Sequence, residues 1–147
     1  MSIVDDLEKS HQEILEAIQG LSVEEMTRKD VMGRWSVRDV ILHIAMWEGE
    51  VLKAMAVWRT GHDYDWTYAM DIQKCNDFFI DAARGLDSGQ VLQIFNLIHS
   101  ALVADVAAVT EKIWEKRGEP GWLRDITIRH NEEHIKKLRK YKASLNK

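Results

Sequence analysis

Six histidines occur in this chain, and two of them, His130 and His134, stand four residues apart. On an α-helix that spacing stacks two side chains on one face, about 6 Å apart along the axis, so both imidazoles can reach one cation. The pair alone is weak evidence, because a shuffled chain of this composition shows one about one time in five. The HExxH element of zinc proteases has the same spacing, but Asn131 stands where that class places its glutamate base, so a protease of that kind is excluded. His43 supplies a third ring. It lies between Val40 and Trp47 on an apolar stripe, where an imidazole without a partner would cost free energy. One inward histidine is most often a core residue satisfied by a single hydrogen bond. Three on two helices can instead provide the nitrogen set of an open zinc site, which also suits nickel, iron or copper. Spacing and stripe position leave both outcomes open.

The remaining chemistry-bearing residues are less committed. His11 and His99 fall near the inward stripes of their helices, so either can be a fourth ligand, a partner to a ligand, a proton carrier or a plain core residue. His62 sits in a polar turn and reads as solvated. No separate general base stands out. Among the six tryptophans, Trp47, Trp58 and Trp114 have helical spacing and read as packing residues. Trp35 precedes a helix start and is placed to fix the entry angle of the chain. Trp66 and Trp122 lie in or beside connections, where an aromatic lines either a pocket mouth or a dimer contact.

The elements that must position these residues are helical throughout. Val4, Leu7, His11, Ile14 or Leu15, and Ile18 recur at three and four residues up to about Gln19, and Gly20 closes that first helix. Leu21 to Arg34 is a connection in which SVEE can make one turn. Ser36 with Asp39 three residues later makes a short capping box. Behind it Val40, His43 or Ile44, Trp47, Val51, Met55 and Trp58 form the stripe of a helix about six turns long, which ends at Thr60 and Gly61. Residues 67–84 form a shorter accessory helix, and GLDSG breaks it. Val91, Ile94 or Phe95, Ile98, Leu102, Val106, Val109 and Ile113 predict one long third helix, closed by Lys116, Arg117 and Gly118 before Pro120. The last helix begins near Trp122 and carries Thr127, His130, His134, Leu138, Tyr141 and Leu145 on one face. Its Glu132, Glu133, Lys136 and Lys137 form a solvated, ion-paired face. The fold class is all-α: a four-helix bundle with a short accessory helix between the second and third long helices.

Size and charge narrow the function. At 147 residues with 46% apolar side chains, the chain can bury one full core, and residues 1–147 are expected to form a single domain. The formal charge is −4 and the signs alternate, so no basic face exists for nucleic acid. Cys75 is the only cysteine, which excludes an internal disulfide and suits a reducing compartment. The N-terminal MSIVDDLEKSHQEI lacks the pattern of a signal peptide, and no run of about 18 apolar residues occurs. A soluble, cytoplasmic protein with no membrane partner is expected.

Two segments carry a resemblance. RWSVRDVILHIAMWE, from Arg34, resembles the helix-two signature of the DinB/YfiT-like family, in which a tryptophan and serine open the helix and an H-x-x-x-W-E element follows. RHNEEHIKKL is similar to that family's second signature, a histidine pair four apart in the last helix. Length, helix order and motif placement agree along the whole chain. The resemblance implies an up-down-down-up bundle, often dimeric, with a divalent metal held by His43, His130 and His134. It implies zinc or nickel first, with iron or copper as further options. One departure is that Ile135 and Lys137 stand where many members carry further histidine or glutamine, so the surroundings of the metal differ here. A cation held by three neutral ligands polarises water and binds a thiolate at an open position. Members of the family include S-transferases that activate a low-molecular-weight thiol. The implied function is therefore a metal-dependent S-transferase or hydrolase acting on a small molecule or thiol. The alternative is a non-catalytic bundle that binds metal or a small ligand, and a third reading is a histidine-packed scaffold with no metal.

Overall fold

The computed structural model describes residues 2–147, and within them every regular element is helical. Helix α1 spans Ile3–Ile18, α2 Val23–Thr27 and α3 Val37–Trp58. A 3-10 turn at Thr67–Ala69 leads into α4, Ile72–Ala82. Helix α5 runs Ser88–Ala107 and α6 Glu111–Arg117. The last long helix begins as α7, Gly121–Arg124, passes through a π turn at Asp125–Arg129 and continues as α8, His130–Ser144.

The starts are written in side-chain oxygens. Ser36 accepts from the Asp39 amide while the Asp39 carboxylate accepts from the Ser36 amide, a reciprocal box that satisfies two orphan donors of α3. Ser22 with Glu25 and Asp87 with Gln90 do the same for α2 and α5. The accessory helix is α4, and its N-cap is Asp71. The expected long third helix is two helices. Thr110 leaves helical geometry and accepts from the Ile113 amide, which starts α6 afresh. The turn lets Trp114 stack on Trp58 at 5.3 Å between ring centroids, and it brings the Arg117 guanidinium 3.9 Å from the Trp58 ring. Gly118, at φ +71°, takes the left-handed position that ends α6.

Side-chain pairings give the helix directions. Asp6 meets Arg124, Ser10 meets Asn131 and Lys142 donates to the Glu16 carbonyl, so α1 and α8 run parallel. Arg38 donates to the Leu86 carbonyl and Arg59 to Asp105, so α3 and α5 run parallel as well. His11 pairs with Asn96 and Glu8 with His99, which makes α1 antiparallel to α5. The bundle is therefore up-down-down-up, with α1 and α8 on one side and α3 and α5 on the other.

The bulk of the core comes in two plates, with a smaller cluster of Trp47, Ala69 and Phe79 beneath the accessory helix. One plate, around Ile14, Val40, Ile41, Ile44, Phe95 and Leu138, fills the end nearer the start of α3; the other, around Leu7, Val51, Met55, Leu102, Val106 and Leu123, fills the opposite end. Between them lies a slice of buried polar side chains: Ser10, His11, Glu48, His99 and Asn131. Helix α5 alone among the described helices has the length and apolar composition to cross a membrane. One stripe of it, Val91, Phe95, His99, Leu102 and Val106, is buried in the bundle.

Candidate metal centre

Helix α3 presents His43 at 5% exposure, and α8 presents the half-buried His130 and His134 one turn apart. The three Nε2 atoms converge. Nε2 of His43 lies 2.8 Å from Nε2 of His130, which lies 3.2 Å from Nε2 of His134. The rings meet edge to face, with centroids 4.7 to 5.0 Å apart, so the nitrogens rather than the ring faces point at a common place. The three donor atoms lie within 4.8 Å of one another. Three imidazole nitrogens cannot satisfy one another fully by hydrogen bonding, because each neutral ring brings one N–H and one lone pair. A divalent cation takes all three lone pairs at once, so the donor set fits such an ion in number and chemistry.

Burial keeps these rings neutral. It pushes His43 down to about 3, assisted by the charges that His130 and His134 would carry and opposed by Asn76. His134 is lowered to about 4, again chiefly by burial, then by His130 and Lys137. Burial lowers His130 too, against the pull of the Ile126 carbonyl. Neutral imidazole is the form that coordinates a metal, so protons do not compete for the site near pH 7.

The last helix reaches this geometry through its π turn. The Thr127 hydroxyl donates to the Leu123 carbonyl at 2.5 Å, taking the acceptor an α-helix would give to its own amide. With Ile126 and Ile128 on either side, three β-branched residues in a row add crowding. The buried stripe of the helix is consequently Thr127, Asn131, Ile135 and Leu138. His130 and His134 stand one step around the helix from it, at the edge of the core and facing α3. The face expected to carry Thr127, His130, His134, Leu138, Tyr141 and Leu145 is inward as expected, each residue buried or half-buried, and Asn131 and Ile135 widen it.

His43 and His130 also line a cavity of about 720 Å³. Its walls come from α3 (Trp47), from the segment before and into α4 (Trp66, Ala69, Met70, Ile72, Asn76) and from the start of the last helix (Trp122, Asp125, Ile126). Asn76 accepts from the Trp47 indole N–H at 2.7 Å, which ties the accessory helix to α3 beside His43. Trp35 packs over the His43 ring at 4.9 Å between centroids, so it braces the histidine as well as the chain entry.

Residues singled out by sequence separate clearly. His43, His130 and His134 come together, whereas His11 and His99 form a stack of their own on α1 and α5, with centroids 3.7 Å apart and partners Asn96 and Glu8. His62 is exposed beside Thr60. Cys75 is half-buried, with the Tyr68 carbonyl near its thiol. Trp58 and Trp114 pack, and Trp66 and Trp122 line the cavity. Sequence reasoning gave no role to Asn76 or Asp125, and it named Asn131 and quoted Glu48, the acid of the H-x-x-x-W-E element, without pairing them. Glu48 follows Ile44 by four residues and Asn131 precedes Ile135 by four, so helical spacing from apolar positions was the available signal for both.

No curated protein and no solved structure matches the chain. A family model described as the DinB superfamily matches residues 6–136, which contain all three clustered histidines. The match covers the first signature segment, the histidine pair of the second and nearly the full length of the bundle, and the chain therefore belongs to the DinB superfamily.

Proposed function

We propose that this chain acts as one bundle domain, residues 1–147, and is a divalent-metal-dependent enzyme in which His43, His130 and His134 hold zinc or nickel. Its reaction is transfer or hydrolysis on a small molecule, with water or a low-molecular-weight thiol as the activated partner. The observation that carries this reading is the convergence of three Nε2 donors, two of them from residues that line a ligand-sized cavity. A structural metal site is closed by a fourth protein ligand, whereas a catalytic one keeps an open position beside a pocket. Here two of the three histidines, His43 and His130, line the cavity, and no further histidine, cysteine or carboxylate joins the cluster among the described residues. When bound, the ion supplies Lewis acidity that lowers the pKa of a water or thiol. The protein's own part is to keep the rings unprotonated by burial, to brace His43 beneath Trp35, and to surround the open side with apolar walls that limit competing water.

The test is metal content by plasma mass spectrometry on untagged protein, as purified and after reconstitution with zinc or nickel. Wild type is expected to carry about one divalent ion per chain, and the His130→Ala, His134→Ala double variant and His43→Ala to lose it. Absence of metal from reconstituted wild type removes the basis for a metalloenzyme. Unchanged stoichiometry in His43→Ala overturns the three-residue site.

A further inference from the structure

The cavity beside the histidine cluster has walls whose composition selects among ligands. Trp47, Trp66 and Trp122 face it with Met70, Ile72 and Ile126, and no lysine or arginine is among its lining residues. Its one carboxylate, Asp125, is ion-paired with Arg129, so the wall carries little net charge. The rim is apolar as well. Met70 and Ile72 are 75% and 60% exposed, and Tyr68 and Phe78 from the same stretch are also among the exposed large hydrophobic residues. Side chains of this kind in water cost free energy unless a ligand covers them, and a cavity of this size lies within the range of small-molecule sites, about 300–1,000 Å³. Trp66 and Trp122 touch each other at 5.8 Å between centroids, so they form a continuous wall and not an open cage around a cation.

We infer that the cavity binds the uncharged, aromatic part of a substrate, one or two fused rings in size, whose single polar atom reaches the His43 and His130 end. This deepens the metalloenzyme reading and rests on it for the role of that polar atom, but the apolar recognition stands on the walls alone. A ligand bearing two or more carboxylates finds no cation in the lining to pair with, and desolvating such charges against three indoles is unfavourable. A quaternary ammonium finds its one counter-charge already taken by Arg129. The flat faces of a fused ring suit indole walls, and the unbranched Met70 can close over ligands of differing outline.

Three probes with one ring system separate charge from shape: 2-naphthalenemethanol, 2-naphthoate and (2-naphthylmethyl)trimethylammonium. They are titrated calorimetrically into the full-length protein as purified and into His134→Ala, which removes a triad donor while leaving the residues that line the cavity in place. In His134→Ala the alcohol is expected to bind about tenfold or more tightly than either ion. Trp122→Ala is expected to lose most of that binding. Because Trp122 also packs on the core plate around Leu7, the exposed-rim variant Ile72→Glu provides a second reading with little folding risk, and it is expected to weaken the alcohol several-fold. Equal or tighter binding of the anion or the cation in His134→Ala overturns the inference, as does unchanged binding in Ile72→Glu. Failure of the metal site appears separately, as wild type without metal that still prefers the alcohol.

Discussion

At the residue scale the buried acid Glu48 is the most informative group outside the triad. It is 3% exposed, its Oε1 accepts from Asn131 at 3.4 Å, and its Oε2 has no partner among the described residues. Burial raises it to about 7, against the stabilising amide of Asn131. An acid whose folded pKa lies above its unfolded value of 4.5 stabilises the fold at low pH, and that contribution is lost as pH rises from 4.5 through about 7. Glutamine keeps the shape and the hydrogen bond but cannot ionise. In metal-free protein, Glu48→Gln is therefore expected to match wild type near pH 5 and to exceed it at pH 8, by no more than about 3 kcal/mol. Thermal melting at the two pH values checks this; an equal difference at both would show that Glu48 does not titrate in the fold. His11 has the opposite sign. Burial first, and then His99, lower it to about 4, so its penalty develops as pH falls from 6.5 toward 4.

At the element scale the π turn of the last helix does what no cap does, because it sets the angle between the cavity wall and the histidines. Asp125 and Ile126 lie in the turn and line the cavity, whereas His130 follows it and both lines the cavity and meets His43 of α3. Removing one residue from a π turn restores a plain α-helix and rotates one half about 100° against the other. Deletion of the exposed Arg129 is expected to preserve helical circular dichroism and to bring metal stoichiometry well below that of wild type, as read by mass spectrometry. Full stoichiometry in the deletion would mean that the turn does not register the site. The start of α3 was legible beforehand: Ser36 and Asp39 announce a cap whichever helices later pack on it, and the box is present. The break at Thr110 was not. The apolar spacing through Val109 and Ile113 continues a helical stripe, and only Trp58, at the end of another helix, gives Trp114 a reason to turn.

At the scale of the whole molecule, stability and chemistry occupy different layers. The two apolar plates hold the bundle with the polar slice between them, and the triad stands at the edge of the core where α8 meets α3. Leu102, fully buried in the plate around Met55, tests that division: Leu102→Ala is expected to cost about 2–5 kcal/mol by thermal or denaturant unfolding, with metal content unchanged. Loss of metal in the folded variant would show the layers to be coupled. The sequence by itself determined the helical class, the caps, the accessory helix and the spacing of His130 from His134, because each depends on contacts within about one turn of chain. It also marked His43 as out of place on its stripe. Only the tertiary structure decided that His43 meets His130 across 87 residues of chain, that His11 and His99 turn to each other instead, and that Trp66 and Trp122 close a cavity. Those outcomes depend on lateral register between helices. Register is set by the packing of whole faces and by one π turn, and helical periodicity carries no record of either.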